Sequence, residues 1–514
     1  MSGIERSLSN TKMSCLVGID VGTSGVKALL VSAAGAVKAS AFVEYGLNTP
    51  RPGWAEQHPE SWWQASVQAI RELLQSGGGG GREVQGIGLT GQMHSSVFLD
   101  KTLRVIRPAL LWCDQRTQAE CDEITETVGF DRLVALTANR ALTGFTAPKI
   151  LWLRNHEPEN YRKLKHLLLS KDYLRFQLTG EFATEVSDAS GMLLFDVVKR
   201  RWSEELLKLL DLDPGILPRC YESTEITGRV SEAAAQETGL RAGTPVVGGG
   251  GDQAAGAIGN GIVKAGPILI TIGTSGVVFS ASDRPLIDPQ ARLHSFCHAS
   301  PGRWHTMGVM LAAGGSMQWL CNTLRALDSK LGYDQLTALA AGTPVGAEGL
   351  FFLPYLTGER TPHFDADARG AFSGLSLKHG LGHLTRALME GVTFGLKDSV
   401  EIMKEVGSEI REVYLSGGGA RSELWTQMVA DVLNLPIKRL KVDEGPSFGA
   451  ALLAAVGTGI FPDTAAAAEQ TLQLKDEVEP RREAAASYQE LYPRFRSLYQ
   501  ALKPEFKNSA GDAA

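Results

Sequence analysis

The sequence predicts an α/β protein built as two related halves, and two observations carry that prediction. Apolar strand-like runs alternate with helical periodicity along the chain: LVGID (16–20), a glycine turn, KALLVS (27–32), and then Trp63, Val67, Ile70 and Leu74 at helical spacing. The segment Gly22-Thr-Ser-Gly-Val26 also recurs half a chain later as Gly273-Thr-Ser-Gly-Val277. In each copy an apolar strand leads in (LVGID; ILITI) and another leads out (ALLV; VVFS). Such Gly-Thr-Ser turns offer backbone N–H groups and hydroxyls to an anion. Two of them facing each other would grip a polyphosphate from both sides.

The elements follow in order. Val37–Tyr45 alternates as a strand, Pro59 opens a helix, and Val84–Thr90 and Val97–Leu99 read as strands. Helices are expected around Ala147–Asn155, Ser203–Leu210, Leu384–Val400, Ser422–Leu433 and Phe448–Val456. The five glycines Gly77–Gly81 read as a flexible linker, because no helix start or lysine follows them. Residues 1–12 read as a flexible leader without a secretory apolar stretch. Residues 501–514 read as a polar tail. Between them the expected domains are 13–262 and 263–500.

Composition narrows the function classes. A net charge of −6 without a basic cluster argues against nucleic-acid binding. The uncharged stretches Trp304–Leu324 and Gly445–Pro462 are broken by glycine, proline and polar residues, so they read as core and not as membrane spans. The six cysteines have no metal-knuckle spacing, and reduced thiols in a cytoplasmic protein are expected. No Walker A loop, HExxH or strand-linked GxGxxG is present. Gly445-Pro-Ser-Phe-Gly449 imitates a nucleophile elbow, but no histidine follows Ser447 to complete a triad.

Several residues stand out chemically. Asp20 ends a strand beside the first glycine turn, where a carboxylate next to phosphate calls for Mg²⁺ or else serves only as a turn cap. Asp252 follows four glycines at a helix start; it reads as a base for a substrate hydroxyl or as an N-cap, with the glycines leaving room for a ligand. Gly417–Gly419 form a strand-to-helix turn suited to a nucleotide. Met93-His94 is a polar pair at a loop, where a lone histidine is more often structural than a ligand. The loop Trp112-Cys-Asp-Gln-Arg-Thr117 either suits a polyol, with an aromatic face and Asp, Gln and Arg for hydroxyls, or is an ordinary surface loop with a half-buried Trp.

Together these residues resemble the FGGY carbohydrate kinases from Leu16 to about Phe461. The first family signature is matched by Gly144-Phe-Thr-Ala-Pro-Lys-Ile-Leu-Trp-Leu-Arg-Asn-His156, the second by Phe372-Ser-Gly-Leu with His383-Leu-Thr-Arg-Ala-Leu-Met-Glu390. Gly91-Gln-Met-His94, Pro52–Gln57, Leu111–Thr117 and Leu353–Pro362 resemble the branch acting on D-xylulose. Gln253 and Cys113 depart from that branch, where asparagine is usual at both places. The resemblance implies a two-domain actin-like ATPase (ribonuclease H-like) fold with its active site in the interdomain cleft. The sugar domain would be the first and the nucleotide domain the second.

It further implies phosphoryl transfer from ATP to D-xylulose with Mg²⁺. Asp252 would be the base, and Asp20 and Asp252 would lie at the metal. Met93, His94, Trp112, Asp252 and Gln253 would contact the sugar. Thr23, Ser24, Lys27, Gly273, Thr274, Gly418, Gly419 and Asn434 would contact ATP. A kinase for another ketopentose or polyol such as ribulose, a non-catalytic sugar-binding regulator, and a chaperone-like ATPase are the rival readings. A homodimer is the assembly to test.

Overall fold

A computed structural model describes residues 15–77, 81–442 and 444–511. The 1–12 leader and Gly78–Gly80 lie outside the described residues. Seven strands form the first sheet: β1 (Cys15–Val21), β2 (Gly25–Ser32), β3 (Val37–Glu44), β4 (Val84–Gly91), β5 (Ile226–Arg229), β6 (Pro245–Val247) and β7 (Gly250–Gly251). Their order is β5–β6–β4–β1–β2–β3, with β7 beside β4. β1 pairs antiparallel with β2 and parallel with β4. It is buried on both faces, which its continuous apolar sequence allows, whereas the edge strand β3 alternates between buried and exposed positions.

One face of this sheet is covered by α1 (Pro59–Ser76). Pro59 starts the helix behind His58, whose ring accepts the Glu60 N–H, and Trp62, Ala69, Ile70 and Leu73 form its buried stripe. Further along stand α2 (Thr146–His156) and α3 (Asp252–Gly259).

The second sheet repeats the plan. β8 (Gly266–Ile272), β9 (Gly276–Ser282), β10 (His294–Cys297), β11 (Trp304–Met310), β12 (Ile410–Ser416), β13 (Ile437–Leu440) and β14 (Leu474–Val478) lie in the order β10–β11–β9–β8–β12–β13–β14. β8 pairs antiparallel with β9 and parallel with β12, as β1 does with β2 and β4. The GTSG repeat therefore marks the same hairpin in both halves. The helices of this half include α4 (Gly314–Arg325), α5 (Leu381–Glu405), α6 (Glu423–Leu433), α7 (Pro446–Gly457) and α8 (Arg482–Gly511). The uncharged stretch 304–324 is β11 followed by α4. Among the described residues no helix is long and apolar enough to cross a membrane.

Two sequence expectations need correction. α8 runs on to Gly511 and buries Phe506, so residues from 501 onward begin as the last turns of a helix and not as a tail. Tyr488 ties that helix to α5 by donating to Glu390 Oε1 at 2.8 Å and accepting from Arg386. The boundary at 262/263 separates the sheets but not the helices, because α7 comes from the second half of the chain and lies on β1, β4 and α3. Its approach is backbone against backbone. A Cβ on Gly18 would stand 1.8 Å from the Ser447 carbonyl oxygen, one on Gly88 1.8 Å from that of Ala450, and one on Gly449 1.7 Å from that of Ala255. This accounts for Gly445–Gly449: the segment starts α7, and the buried Ser447 hydroxyl donates to the Lys27 carbonyl.

Candidate active site

The two GTSG turns are built differently. The first closes with Gly22 N–H donating to Gly25 O at 3.0 Å and is strapped from outside. Tyr45 Oη donates to Gly22 O, Gln57 Nε2 donates to Thr23 O at 2.7 Å, and Gln92 Nε2 donates to Gln57 Oε1 at 3.1 Å. The second turn is fixed from behind by α4, whose Gly314 and Gly315 N–H groups donate to Gly273 O and Thr274 O at 2.8 and 3.0 Å.

That second turn divides two cavities. On one side lies a space of about 760 Å³ lined by Gly273, Thr274, Gly314, Gly418, Gly419 and Trp425. On the other lies a smaller one of about 190 Å³, walled by Met93, His94, Trp112 and Asp252 from the first half and by Ser275 and Arg360 from the second. A third hollow, along α1 and Glu237, touches none of these residues.

The small cavity is assembled by close packing. His94 has φ +67°, a strained backbone for a residue with a side chain. Lys149 of the first signature holds it there, with Nζ donating to His94 O at 2.9 Å and Gly144 O at 2.7 Å. Burial pushes the Lys149 ammonium down to about 7. Burial and the nearby Lys149 hold His94 well below its usual range, so the ring is neutral. Its Nδ1 donates to Gly191 O at 2.7 Å, which leaves Nε2 as the acceptor. Gly191 and Gly251 are glycines because a Cβ would stand 2.5 Å from the His94 ring and 2.9 Å from Met93 Cγ.

Asp252 opens α3, and its Oδ1 accepts the Gln253 N–H at 2.7 Å. Burial raises its carboxyl to about 6, against the pull of that N–H. Asp20 is half-buried, and its buried Oδ1 is unpartnered. Burial first and the Asp252 charge second raise it to about 7, while Lys27 lowers it. The two carboxyls are near enough for the Asp252 charge to act on Asp20, whose Oδ1 has no hydrogen-bond partner. Among the described residues no cluster of three or more His, Cys, Asp or Glu side chains could hold a metal. A cation here would draw its remaining ligands from phosphate and water, as Mg²⁺ does.

The loop before Asp252 is anchored by a buried charge cluster. Ser187 Oγ accepts the Gly251 N–H at 3.0 Å and donates to Glu185. Arg175 donates to Gly248 O and pairs with Asp172 at 2.6 Å, and Lys171 stands 2.8 and 2.9 Å from Asp172 and Asp188. All five charged side chains are fully buried.

The N-terminal domain pattern of the FGGY family of carbohydrate kinases matches residues 15–259, and the family's C-terminal domain pattern matches 268–458. The chain belongs to the FGGY family of carbohydrate kinases. It is 42% identical to the xylulose kinase of Escherichia coli K12 over 95% of this chain and 99% of the relative. It is 40% identical to that of Bacillus subtilis 168 over 96% and 98%. The crystal structure of xylulose kinase from Rhodospirillum rubrum superposes with a TM-score of 0.90 at 33% identity, covering 96% of this chain and 100% of the other. The actin-like ATPase fold expected from the sequence is the fold of these structural neighbours, and the enzyme class is that of ATP-dependent sugar kinases.

In this FGGY kinase the small cavity gathers Met93, His94, Trp112, Asp252 and Gln253, and the large one gathers Gly273, Thr274, Gly418 and Gly419. The other residues expected at the nucleotide lie elsewhere. Asn434 is the left-handed cap at the far end of α6, about 16 Å from the Ser422 end that borders the large cavity. Lys27 is engaged by Glu444, 2.6 Å to its carboxylate and 3.2 Å to its carbonyl. The Thr23 hydroxyl accepts from Trp112 Nε1 at 2.9 Å and donates to Gln92, and Ser24 sits exposed beside it.

The Trp112 loop also differs from expectation. Asp114 and Arg116 turn inward as a bidentate pair, with Arg116 stacked on Trp54 and bridged to Glu56, so neither meets the cavity. Cys113 does not line it either. The run Gly248–Gly251 is spent on packing: a Cβ on Gly249 would lie 1.9 Å from Leu89 O. The sequence reading passed over Tyr45, Gln57, Gln92, Lys149 and Arg360. For all but Tyr45 the signal was present, since Gln57, Gln92, Lys149 and Arg360 lie inside quoted motifs.

Proposed function

We propose that this chain transfers the γ-phosphoryl group of ATP to the 5-hydroxyl of D-xylulose, giving D-xylulose 5-phosphate and ADP. One observation carries the reading: a small cavity holding Asp252 shares the Gly273–Ser275 turn as its partition with a larger cavity lined by Gly418 and Gly419. The xylulose kinases at about 40% identity over the whole chain support the choice of sugar.

In this scheme Met93 and Trp112 give the sugar its apolar wall, and His94 Nε2 accepts from a sugar hydroxyl. Asp252 takes the proton of the 5-hydroxyl as its oxygen bonds to the γ-phosphorus and the bond to the β-phosphate oxygen breaks. Backbone N–H groups at Thr274 and Gly418–Gly419 line the phosphates. Asp20 and Asp252 are the residues that would hold Mg²⁺, which screens phosphate charge when bound. We include in this reading a cytoplasmic setting, supported by the absence of disulfides among the described residues, and a homodimer, which light scattering tests.

Phosphorus NMR of a reaction with ATP, Mg²⁺ and D-xylulose tests the chemistry. The expected product is a phosphomonoester on the 5-oxygen beside ADP. Inorganic phosphate alone, or an ester at another carbon, would contradict it.

A further inference from the structure

Arg360 is the only lysine or arginine lining the small cavity among the described residues. Its backbone is held on both sides. Glu359 Oε1 accepts the Leu311 N–H at 3.0 Å and the Arg360 N–H at 2.7 Å. Thr361 exchanges bonds with Val309, its hydroxyl accepting the Val309 N–H at 3.1 Å and its own N–H donating to Val309 O at 3.0 Å. These anchors lie at the end of β11, so the second half of the chain carries this side chain rigidly to a cavity whose opposite wall belongs to the first half.

The guanidinium itself makes no hydrogen bond or ion pair among the described residues. A guanidinium has five donors and no acceptor, and burying one without partners is costly. Glu359 is the neighbour whose charge favours the guanidinium. His94 and His294 are both held neutral by burial, and burial raises the Glu359 carboxyl to about 8. The unused donors therefore face the space the sugar would fill.

We infer that Arg360 is the residue by which the nucleotide half of the molecule binds the sugar, its donor fork taking acceptor oxygens of the ketose away from the hydroxyl at Asp252. This rests on the sugar-kinase reading above and adds a specificity contact to it. In a 2-ketopentose phosphorylated at the 5-oxygen, those acceptors are the carbonyl and hydroxyl oxygens of the other end. A bound sugar then bridges both walls of the cleft, so the Arg360 contact helps hold the two halves together during transfer.

The test compares wild type, Arg360→Gln and Arg360→Lys by steady-state kinetics, with circular dichroism to establish folding. In the glutamine variant the sugar KM is expected to rise at least tenfold while the ATP KM stays within twofold. Lysine, which keeps the charge but not the fork, is expected to fall between. A folded glutamine variant with a sugar KM within twofold of wild type overturns the inference. Should the glutamine variant not fold, an unchanged sugar KM in the lysine variant does the same. If wild type phosphorylates another sugar and not D-xylulose, the substrate reading fails on its own, and the Arg360 comparison is read on that sugar.

Discussion

Asp252 is a carboxyl that the fold makes hard to ionise, and the base function proposed for it requires the ionised form. Burial raises it to about 6, so the base is competent above that pH and is lost as pH falls through it. We expect kcat/KM for the sugar to drop below pH about 6, and a pH–rate profile checks it. Asp252→Asn keeps the shape and removes the base, so kcat should fall by ~10²-fold or more. ATP affinity measured by calorimetry without Mg²⁺ should change little, because the large cavity does not include this residue. A carboxylate buried against its preference also destabilises the native state near neutral pH, so the asparagine variant should melt no lower than wild type. Near-normal kcat would leave Asp252 as a helix cap. At this scale the sequence singled out Asp252, Met93 and His94 for chemical reasons, and the structure brings these three to one small cavity. It was illegible where one residue type serves two roles. An asparagine after a helix reads equally as nucleotide contact and as cap, and Asn434 is the cap. Arg360 stood inside a motif whose spacing says nothing about which side chain is left without a partner.

The elements were easier to read than their neighbours. Strand and helix periodicity is local, and the hairpins, α1 and α5–α7 fall where it predicts them. What periodicity cannot give is long-range contact, such as α7 crossing back onto the first sheet. The signal was there as glycines within β1 and β4, which a strand does not need for itself. Gly18 and Gly88 let the helix backbone seat directly on the sheet. Gly88→Ala should therefore lower stability by about 1–3 kcal/mol through overpacking. Urea denaturation measures this, and an unchanged midpoint would mean that the sheet and helix separate freely at that point.

At the scale of the molecule, two sheets of one plan present two turns of the same sequence, and the structure uses them unequally. The first is strapped by Tyr45, Gln57 and Gln92 and bonded to Trp112 of the small cavity; the second partitions the small cavity from the large one, the places proposed for sugar and nucleotide. Symmetry in sequence foretold the pair but not this division of labour, which depends on α4 behind the second turn. The division makes sugar and ATP neighbours across a single turn, so ATP turnover should depend on the sugar. Sugar-dependent ADP release across a panel of D-xylulose, D-ribulose, other ketoses, glycerol and an aldonate tests this most directly. The account predicts little release without sugar and the highest kcat/KM with D-xylulose; sugar-independent release, or a tenfold preference for glycerol or ribulose, would contradict it.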